Sequence, residues 1–314
     1  MKWSAQAPSN IALIKYMGKI DHQLNLPTNP SLSFTLNHLI SEVHLTISEA
    51  QDDCWQPFKE DQEPLILSAQ GQQRFLDHLA RLKKYFQYEG SFIVSSRNHF
   101  PVGCGLASSA SSFAALTRCA MQALPSLTNR TPPPTQIQAM MSRIGSGSSC
   151  RSFYSPWAIW DDNHVEDVQL PYEDLLHQVI LIDTKEKSIS SSEAHKLVAS
   201  SPSFESRLNN VTARLEALLA ALRSRDWSLA FELVWDEFME MHHLFQTAST
   251  PFNYITDDCK AMLNNLKSFW DKHQNGPLVT MDAGPNIHLL YRVHDKHLKE
   301  EFEQTFIKGK FDVI

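Results

Sequence analysis

The sequence predicts an α+β protein, because strand-like and helix-like segments are mixed without a regular alternation of strand and helix. Strand-like segments come early, four helical segments follow one another in the second half, and a strand-like apolar segment returns after them. A doubly wound sheet or a barrel is disfavoured by this order, and no internal repeat is visible. The chain therefore reads as one large or two medium domains.

Alternation of Val43, Leu45 and Ile47 with polar neighbours is typical of a half-buried strand. Phe75, Leu79, Leu82 and Phe86 recur at helical spacing instead. In order, the first part is predicted to contain strands over 9–16 and 42–48 joined by a loop, a helix over 71–88, a strand from residue 92 to a turn at 101–103, helices over about 107–123 and 135–142, and strands over 154–160 and 178–183.

The second part is dominated by helices. It is predicted to contain helices over 190–200, 204–223, 226–247 and 255–273, a strand over 277–282, a helix over 286–304 and a closing strand over 310–314. We place the domain change near residue 175, which gives an N-terminal domain of 1–175 and a C-terminal domain of 176–314. The active site is expected in the cleft between them.

Composition excludes several classes of function. A formal net charge of -7 without long runs of like charge disfavours binding to nucleic acid or to an anionic membrane. No stretch approaches the ~18 apolar residues of a membrane span, and the first residues lack the apolar core of a secretion signal. The five scattered cysteines fit free thiols better than a disulfide framework or a zinc site. We expect a cytoplasmic protein without a dedicated metal cluster.

The most informative segment lies between a predicted strand and a predicted helix and runs from Gly103 to Ser109. Two glycines let the backbone approach an anion closely, and the N-terminus of the helix adds partial positive charge. The serine hydroxyls can bind phosphate oxygens or Mg²⁺. Taken alone, the segment could equally be a glycine turn followed by a serine-capped helix. No lysine follows the second glycine, so it is not a Walker A loop.

This segment, Pro-Val-Gly-Cys-Gly-Leu-Ala-Ser-Ser-Ala, resembles the P-G-x-G-L-A-S-S-A type of loop of the GHMP kinase superfamily. Three further segments resemble its diphosphomevalonate decarboxylase branch: 7–19 with 26–33, 145–152, and Met-Asp-Ala-Gly-Pro-Asn at 281–286. The four matches occur in the expected order and span most of the chain. The resemblance implies a fold with an N-terminal domain like domain 2 of ribosomal protein S5 and a ferredoxin-like C-terminal domain.

The matching residues also have plausible chemistry of their own. Lys15 and Lys19 lie at a transition from strand to loop, where two ammonium groups could face a diphosphate, although surface lysines would be the ordinary alternative. Arg151 follows a Gly/Ser-rich stretch and can hold a carboxylate with two parallel hydrogen bonds. Asp282 ends an apolar strand, so it is either a turn residue or a positioned proton acceptor.

The resemblance implies that ATP phosphorylates the 3-hydroxyl of mevalonate 5-diphosphate, and that loss of this phosphate with CO₂ gives isopentenyl diphosphate. The implied catalytic residues are Asp282, Arg151 and Lys15. The implied substrate-binding residues are Asn10, Tyr16, Lys19, Ser146, Ser148 and Ser191. The implied ATP-binding residues are Ser96, Asn98, Gly103, Gly105, Leu106, Ala107, Ser108 and Ser109. Mg²⁺ would arrive with ATP, with Ser109 as its candidate ligand, and the family is often dimeric.

Three departures from the family pattern bear on the substrate. Met17 stands where the family usually has Trp, Pro30 where it usually has Ser, and Gly103-Cys104-Gly105 replaces the usual residues before the second glycine. Two alternatives therefore stay open. One is a kinase or decarboxylase of mevalonate or its monophosphate, and the other is a catalytically silent ligand-binding relative.

Overall fold

The computed structural model describes residues 1–58, 65–100, 108–183 and 189–314. Its strands are β1 (Lys2–Ile14), β2 (Lys19–Asp21), β3 (Leu26–Pro27), β4 (Ser31–Ser48), β5 (Cys54–Pro57), β6 (Ser91–Asn98), β7 (Trp157–Asp161), β8 (His164–Asp167), β9 (Leu175–Leu181), β10 (Leu278–Met281), β11 (Ile287–Arg292) and β12 (Asp312–Val313). Its α-helices are α1 (Ala69–Phe86), α2 (Ser108–Thr128), α3 (Thr135–Gly145), α4 (Ser191–Leu197), α5 (Phe204–Ser224), α6 (Trp227–Thr247), α7 (Asp257–His273) and α8 (Lys296–Phe302).

A six-stranded sheet is built around the long strand β4, which pairs with β1 along most of its length. The other strands follow the order β5-β6-β4-β7-β8, and all the pairings except that of β5 with β6 are antiparallel. Helices α1 and α2 cover this sheet with apolar side chains such as Phe75, Leu79 and Phe113. A 3-10 helix, Gly147–Phe153, follows α3 and leads to β7.

The second sheet has four antiparallel strands in the order β10-β11-β9-β12. Helices α6 and α7 pack on it through buried residues such as Phe238, Leu266 and Phe269. Strand β10 ends at Met281, directly before Asp282. The mixed, non-alternating architecture confirms the predicted α+β class.

The two sheets are joined by one apolar cluster. Ile11 of β1 and Trp157 of β7 share it with Leu218 of α5 and Leu278 of β10, and each of these side chains is fully buried. Burial of apolar surface is the main favourable term in folding, so this shared core couples the halves of the chain. Strand β8 belongs to the first sheet and β9 to the second, while the division at residue 175 stays a prediction.

The predicted helix over 286–304 is wrong in its first part, where the chain forms β11 instead. Residues Ile287 to Tyr291 are all buried between β10 and β9. A short apolar run of this kind has the same pattern in a buried strand and in a buried helix, and sheet pairing decides between them. Helix α8 then begins at Lys296.

The predicted loop between residues 16 and 42 is also too long. Strand β4 begins at Ser31, and the six residues from Ser31 to Leu36 are all buried, so they show no polar alternation. Buried strands of this kind read as continuous runs rather than alternating ones. The short strands β5 and β8 were not predicted, since four residues carry too little pattern.

Candidate active site

A cavity of about 670 Å³ lies where the two halves meet. It is bounded by the segment after β1, the 3-10 helix Gly147–Phe153, the first residues of α4 and the segment after β10. The predicted site residues that line it are Asn10, Lys15, Tyr16, Lys19, Ser108, Ser109, Ser146, Ser148, Arg151, Ser191 and Asp282. The structure therefore brings together residues that are up to 272 positions apart, from Asn10 to Asp282.

Lys15 and Asp282 form an ion pair in this cavity. Lys15 follows β1, Asp282 follows β10, and the Lys15 Nζ to Asp282 Oδ1 distance is 2.6 Å. The lysine side chain is 3% exposed and the aspartate side chain 28%, so only the carboxylate has substantial access to the cavity. Burial lowers the pKa of Lys15, and the nearby Asp282 carboxylate opposes this change.

The backbone around the pair is fixed from several directions. The Lys15 N–H donates to Glu237 Oε1 at 2.9 Å, and the Lys15 carbonyl accepts from Asn29 Nδ2 at 2.9 Å. Arg207 Nη2 donates to the same carbonyl at 3.1 Å. On the other side, His242 Nε2 donates to the Asp282 carbonyl at 3.2 Å. These contacts hold the ion pair in one geometry.

Arg151 lies fully buried at the edge of the cavity. Its Nε donates to Asn10 Oδ1 at 3.2 Å and its Nη1 to Ser31 Oγ at 2.8 Å. Burial lowers the pKa of Arg151, while the Asp282 charge acts in the opposite direction. No residue in the described part of the chain accepts a hydrogen bond from Nη2 of Arg151. This nitrogen is suited to a carboxylate ligand.

Tyr16 packs between two rings in the lining of the cavity. Its ring centroid lies 4.7 Å from that of Trp160 and 4.3 Å from that of His195. Burial raises the pKa of Tyr16, so its phenol stays a neutral hydrogen-bonding group. A Cβ added at Gly147 would lie 2.5 Å from the Tyr16 hydroxyl, which explains why glycine is needed there.

Lys19 supplies positive charge near Tyr16. Its Nζ donates to Asn25 Oδ1 at 2.6 Å, and the Asn25 amide in turn donates to the carbonyls of Arg143 and Ile144. Burial, followed by the charges of Arg74 and Lys196, lowers the pKa of Lys19 to about 8. Because these positive charges repel one another, a bound anion would be favoured beside Lys19.

Serine hydroxyls connect this region to the first turn of α2. Ser146 Oγ donates to Ser109 Oγ at 3.1 Å, and both residues line the cavity with Ser108. The described residues contain no group of three or more His, Cys, Asp or Glu side chains that could hold a metal. The Ser109 hydroxyl nevertheless fits a single oxygen ligand of Mg²⁺ held mainly by nucleotide phosphates and water.

Several predicted residues do not line the cavity. Ser96 is 1% exposed and its Oγ accepts from Trp55 Nε1 at 3.0 Å. Asn98 Oδ1 accepts from Ser41 Oγ at 2.6 Å, and Pro30 is likewise absent from the lining, unlike Met17. Gly103, Gly105, Leu106 and Ala107, together with Cys104, lie outside the described residues. Cys150 is buried, and burial raises the pKa of its thiol to about 12, so it is not a reactive thiolate.

The polar lining residues that sequence reasoning missed include Arg74, His195 and Asn25. Arg74 comes from α1 and donates to the Gly145 carbonyl at 3.0 Å. His195 lies in α4, and Asn25 precedes β3. Arg74 and Asn25 carry no local signal, whereas the position of His195 just after Ser190 to Ser192 could have indicated it.

The fold and the cavity together define a class of protein: an α+β enzyme with a carboxylate–ammonium pair and an anion-binding region that meet between two sheets. No helix in the described ranges has both the length and the apolar character needed to cross a membrane.

Comparison with known proteins specifies the family. The model for the diphosphomevalonate decarboxylase-like N-terminal domain matches residues 7–169, and that for the mevalonate 5-diphosphate decarboxylase C-terminal domain matches residues 178–310. The chain belongs to the diphosphomevalonate decarboxylase family.

Individual relatives agree with this assignment. The diphosphomevalonate decarboxylase of Ganoderma lucidum is 33% identical over 96% of this chain and 80% of its own. The crystal structure of a mevalonate diphosphate decarboxylase from Legionella pneumophila is 51% identical over the whole of both chains, with a TM-score of 0.95. The structure of MDDEF in complex with MVAPP, AMPPCP and magnesium is 26% identical over 100% of this chain and 96% of its own, with a TM-score of 0.85.

Proposed function

We propose that this protein catalyses the ATP-dependent decarboxylation of mevalonate 5-diphosphate to isopentenyl diphosphate, ADP, phosphate and CO₂. The single observation that carries the proposal is the Lys15–Asp282 ion pair beside Arg151 in one cavity with the serine cluster. Membership of the family and the 51% identity to the Legionella pneumophila enzyme support the same reaction.

In this proposal Asp282 accepts a hydrogen bond, and then the proton, from the 3-hydroxyl of the substrate. Its carboxylate is accessible from the cavity and is held by the buried Lys15 ammonium, so a hydroxyl can approach it in a fixed orientation. Arg151 binds the substrate carboxylate through Nη2 until CO₂ leaves. The hydrogen bonds from Arg151 to Asn10 and Ser31 support this role, because they fix the plane of the guanidinium.

The diphosphate is assigned to the part of the cavity lined by Tyr16 and Lys19. Lys19 and Arg74 supply positive charge there, and the hydroxyls of Tyr16, Ser146 and Ser191 supply hydrogen bonds. Ser148 completes this set of lining residues. Cationic and hydroxyl donors of this density suit a polyanion, which favours the diphosphate over mevalonate itself.

ATP is assigned to the start of α2, where Ser108 and Ser109 line the cavity. The N-terminus of a helix of 21 residues favours negative charge. Mg²⁺ bound with the nucleotide would neutralise charge on the transferred phosphoryl group, and Ser109 is its proposed protein ligand. The sequence-based assignment of Ser96 and Asn98 to ATP stays a prediction, and in the structure their side chains accept hydrogen bonds from Trp55 and Ser41.

Purified protein incubated with MgATP and, in turn, mevalonate, mevalonate 5-phosphate and mevalonate 5-diphosphate tests the proposal. ADP, phosphate and CO₂ are measured in each reaction. We expect equal release of all three products with mevalonate 5-diphosphate and MgATP, and none with the other two acids. ADP without CO₂ would identify a kinase, and no turnover with any of the three acids would identify a silent relative.

A cytoplasmic homodimer stays a prediction, made from composition and family resemblance. Analytical ultracentrifugation over a range of protein concentrations measures the oligomeric state directly. A monomer at all concentrations would contradict the prediction of a dimer.

A further inference from the structure

His195 has a defined protonation state that the proposed reaction does not use. The Gly18 N–H donates to His195 Nδ1 at 3.1 Å, so this nitrogen is an acceptor and carries no proton. A neutral imidazole has one N–H, which must then lie on Nε2. Burial, followed by the charges of Lys19 and His22, lowers the pKa of His195 well below its ordinary value, which favours the neutral ring.

The ring is also held in one orientation. It is 9% exposed and packs against Tyr16 with 4.3 Å between ring centroids and 35° between ring planes. Helix α4 carries the residue, and Gly18 fixes the ring from the opposite side. The Nε2–H is therefore a preorganised donor rather than one that must be ordered on binding.

His195 lines the cavity, and no described residue accepts a hydrogen bond from its Nε2. This nitrogen is not one of the fully buried polar atoms of the described residues that lack a partner, so it is open to the cavity and a ligand can reach it. The nearby ammonium of Lys19 is positive, which makes an anionic acceptor the best match. A phosphate group meets this requirement because it offers several strong acceptor oxygens.

We propose that His195 is a further substrate-binding residue whose Nε2–H donates to the terminal phosphate of the diphosphate. This inference rests on the proposed function and deepens it, because it names a determinant of preference for the diphosphate over the monophosphate. The donor is matched to a group that mevalonate 5-phosphate lacks. A neutral donor adds binding energy there without adding a further charge to Lys19 and Arg74.

His195→Asn separates this role from a structural one. The Asn carbonyl can replace Nδ1 as the acceptor for the Gly18 N–H, while its amide is too short to replace Nε2–H. We expect about a tenfold loss of affinity for mevalonate 5-diphosphate, the value of one hydrogen bond to a charged group. The dissociation constant for mevalonate 5-phosphate should change much less. The ratio of the dissociation constant for the monophosphate to that for the diphosphate should therefore fall.

Isothermal titration calorimetry without nucleotide measures both dissociation constants, and thermal unfolding checks that the variants fold. His195→Phe, which keeps a ring but neither nitrogen, should lower the ratio as well, and the exposed His243→Asn serves as the control. An unchanged ratio in His195→Asn, or equal weakening of both ligands, would overturn the inference. Failure of the proposed function would appear separately, as an absence of CO₂ release by the wild-type protein.

Discussion

At the scale of single residues, the site combines charges of unequal burial. The ammonium of Lys15 is almost inaccessible, whereas the carboxylate of Asp282 can be reached from the cavity. The carboxylate is thus the group that can meet a substrate hydroxyl, and the lysine is the group that fixes its position. Substituting either residue should therefore affect catalysis more than folding.

Asp282→Asn should reduce kcat by at least about a thousandfold, because an amide cannot accept the hydroxyl proton. The substitution keeps the shape of the side chain, so substrate binding should change little. Steady-state release of CO₂ measures kcat, and calorimetry measures binding. The exposed Asp271→Asn on α7 is the matched control, and wild-type turnover in Asp282→Asn would contradict the assigned role.

Lys19 should impose a pH limit on substrate binding. Its pKa is lowered to about 8, so the ammonium that attracts the diphosphate is lost as the pH rises through this value. We therefore expect kcat/KM for mevalonate 5-diphosphate to be high below pH 8 and to fall above it. In Lys19→Arg, the guanidinium stays charged, so the fall should move to higher pH. The same pH profile in the wild type and in Lys19→Arg would show that Lys19 does not cause the fall in kcat/KM.

The candidate site residues that could be predicted from the sequence are those that lie in motifs resembling the family. Lys15, Arg151 and Asp282 were predicted to share one site because each belongs to a motif that resembles the family, and in the structure they line one cavity. Arg74 was missed because a position on a helix surface gives no information about what that surface faces. Ser96 was assigned to ATP from its place near the phosphate-binding segment, and that match could not show that its hydroxyl accepts a hydrogen bond from Trp55.

At the scale of elements, long amphipathic helices were predicted almost to the residue. Helix α5 was predicted over 204–223 and occupies Phe204–Ser224, since 21 residues give many turns of consistent pattern. Strand β11 was mistaken for a helix because five of its six residues, Ile287 to Tyr291, are buried without polar alternation. Pairing with β10 and β9 makes this segment a strand, and the sequence of the segment does not show which strands lie beside it.

The 3-10 helix after α3 offers a test at this scale. In Gly147→Ala, the new Cβ would lie 2.5 Å from the Tyr16 hydroxyl, and Tyr16 is confined by Trp160 and His195. Overpacking of this kind costs about 1–3 kcal/mol, so KM for the substrate should rise about tenfold. Steady-state kinetics measure the change.

Gly71→Ala in α1 is the control, because its Cβ would make ordinary contacts at 3.4 Å or more. An alanine in a helix is favoured over glycine by about 1 kcal/mol, so this variant should be at least as stable as the wild type. An unchanged KM in Gly147→Ala would mean that Tyr16 does not position the substrate.

At the scale of the whole molecule, a buried network of charges links α5 and α6 to the end of β1. Arg207 and Glu237 are completely buried and form an ion pair, and Arg214 Nη1 bonds Glu237 Oε2 at 2.6 Å. Glu237 also accepts the Lys15 N–H. The network therefore ties Lys15 of the first half to two helices of the second.

Glu237→Gln should lower the free energy of unfolding by about 3–5 kcal/mol. The substitution removes the negative charge that balances Arg207 and Arg214 in the interior. Urea denaturation measures the free energy of unfolding. Exposed Glu216→Gln on α5 should change it by less than about 0.5 kcal/mol. Equal stability of the two variants would show that the network contributes little.

The same contacts determine when the site can form during synthesis. β1 leaves the ribosome first, yet the groups that hold Lys15 are Asn29, Arg207 and Glu237, and its ionic partner is Asp282. A nascent chain that ends before α6 lacks Glu237 and Asp282, two of the four groups that hold Lys15. The Lys15–Asp282 ion pair can therefore form only after residue 282 has been synthesised, although Lys15 itself belongs to the first segment of the fold.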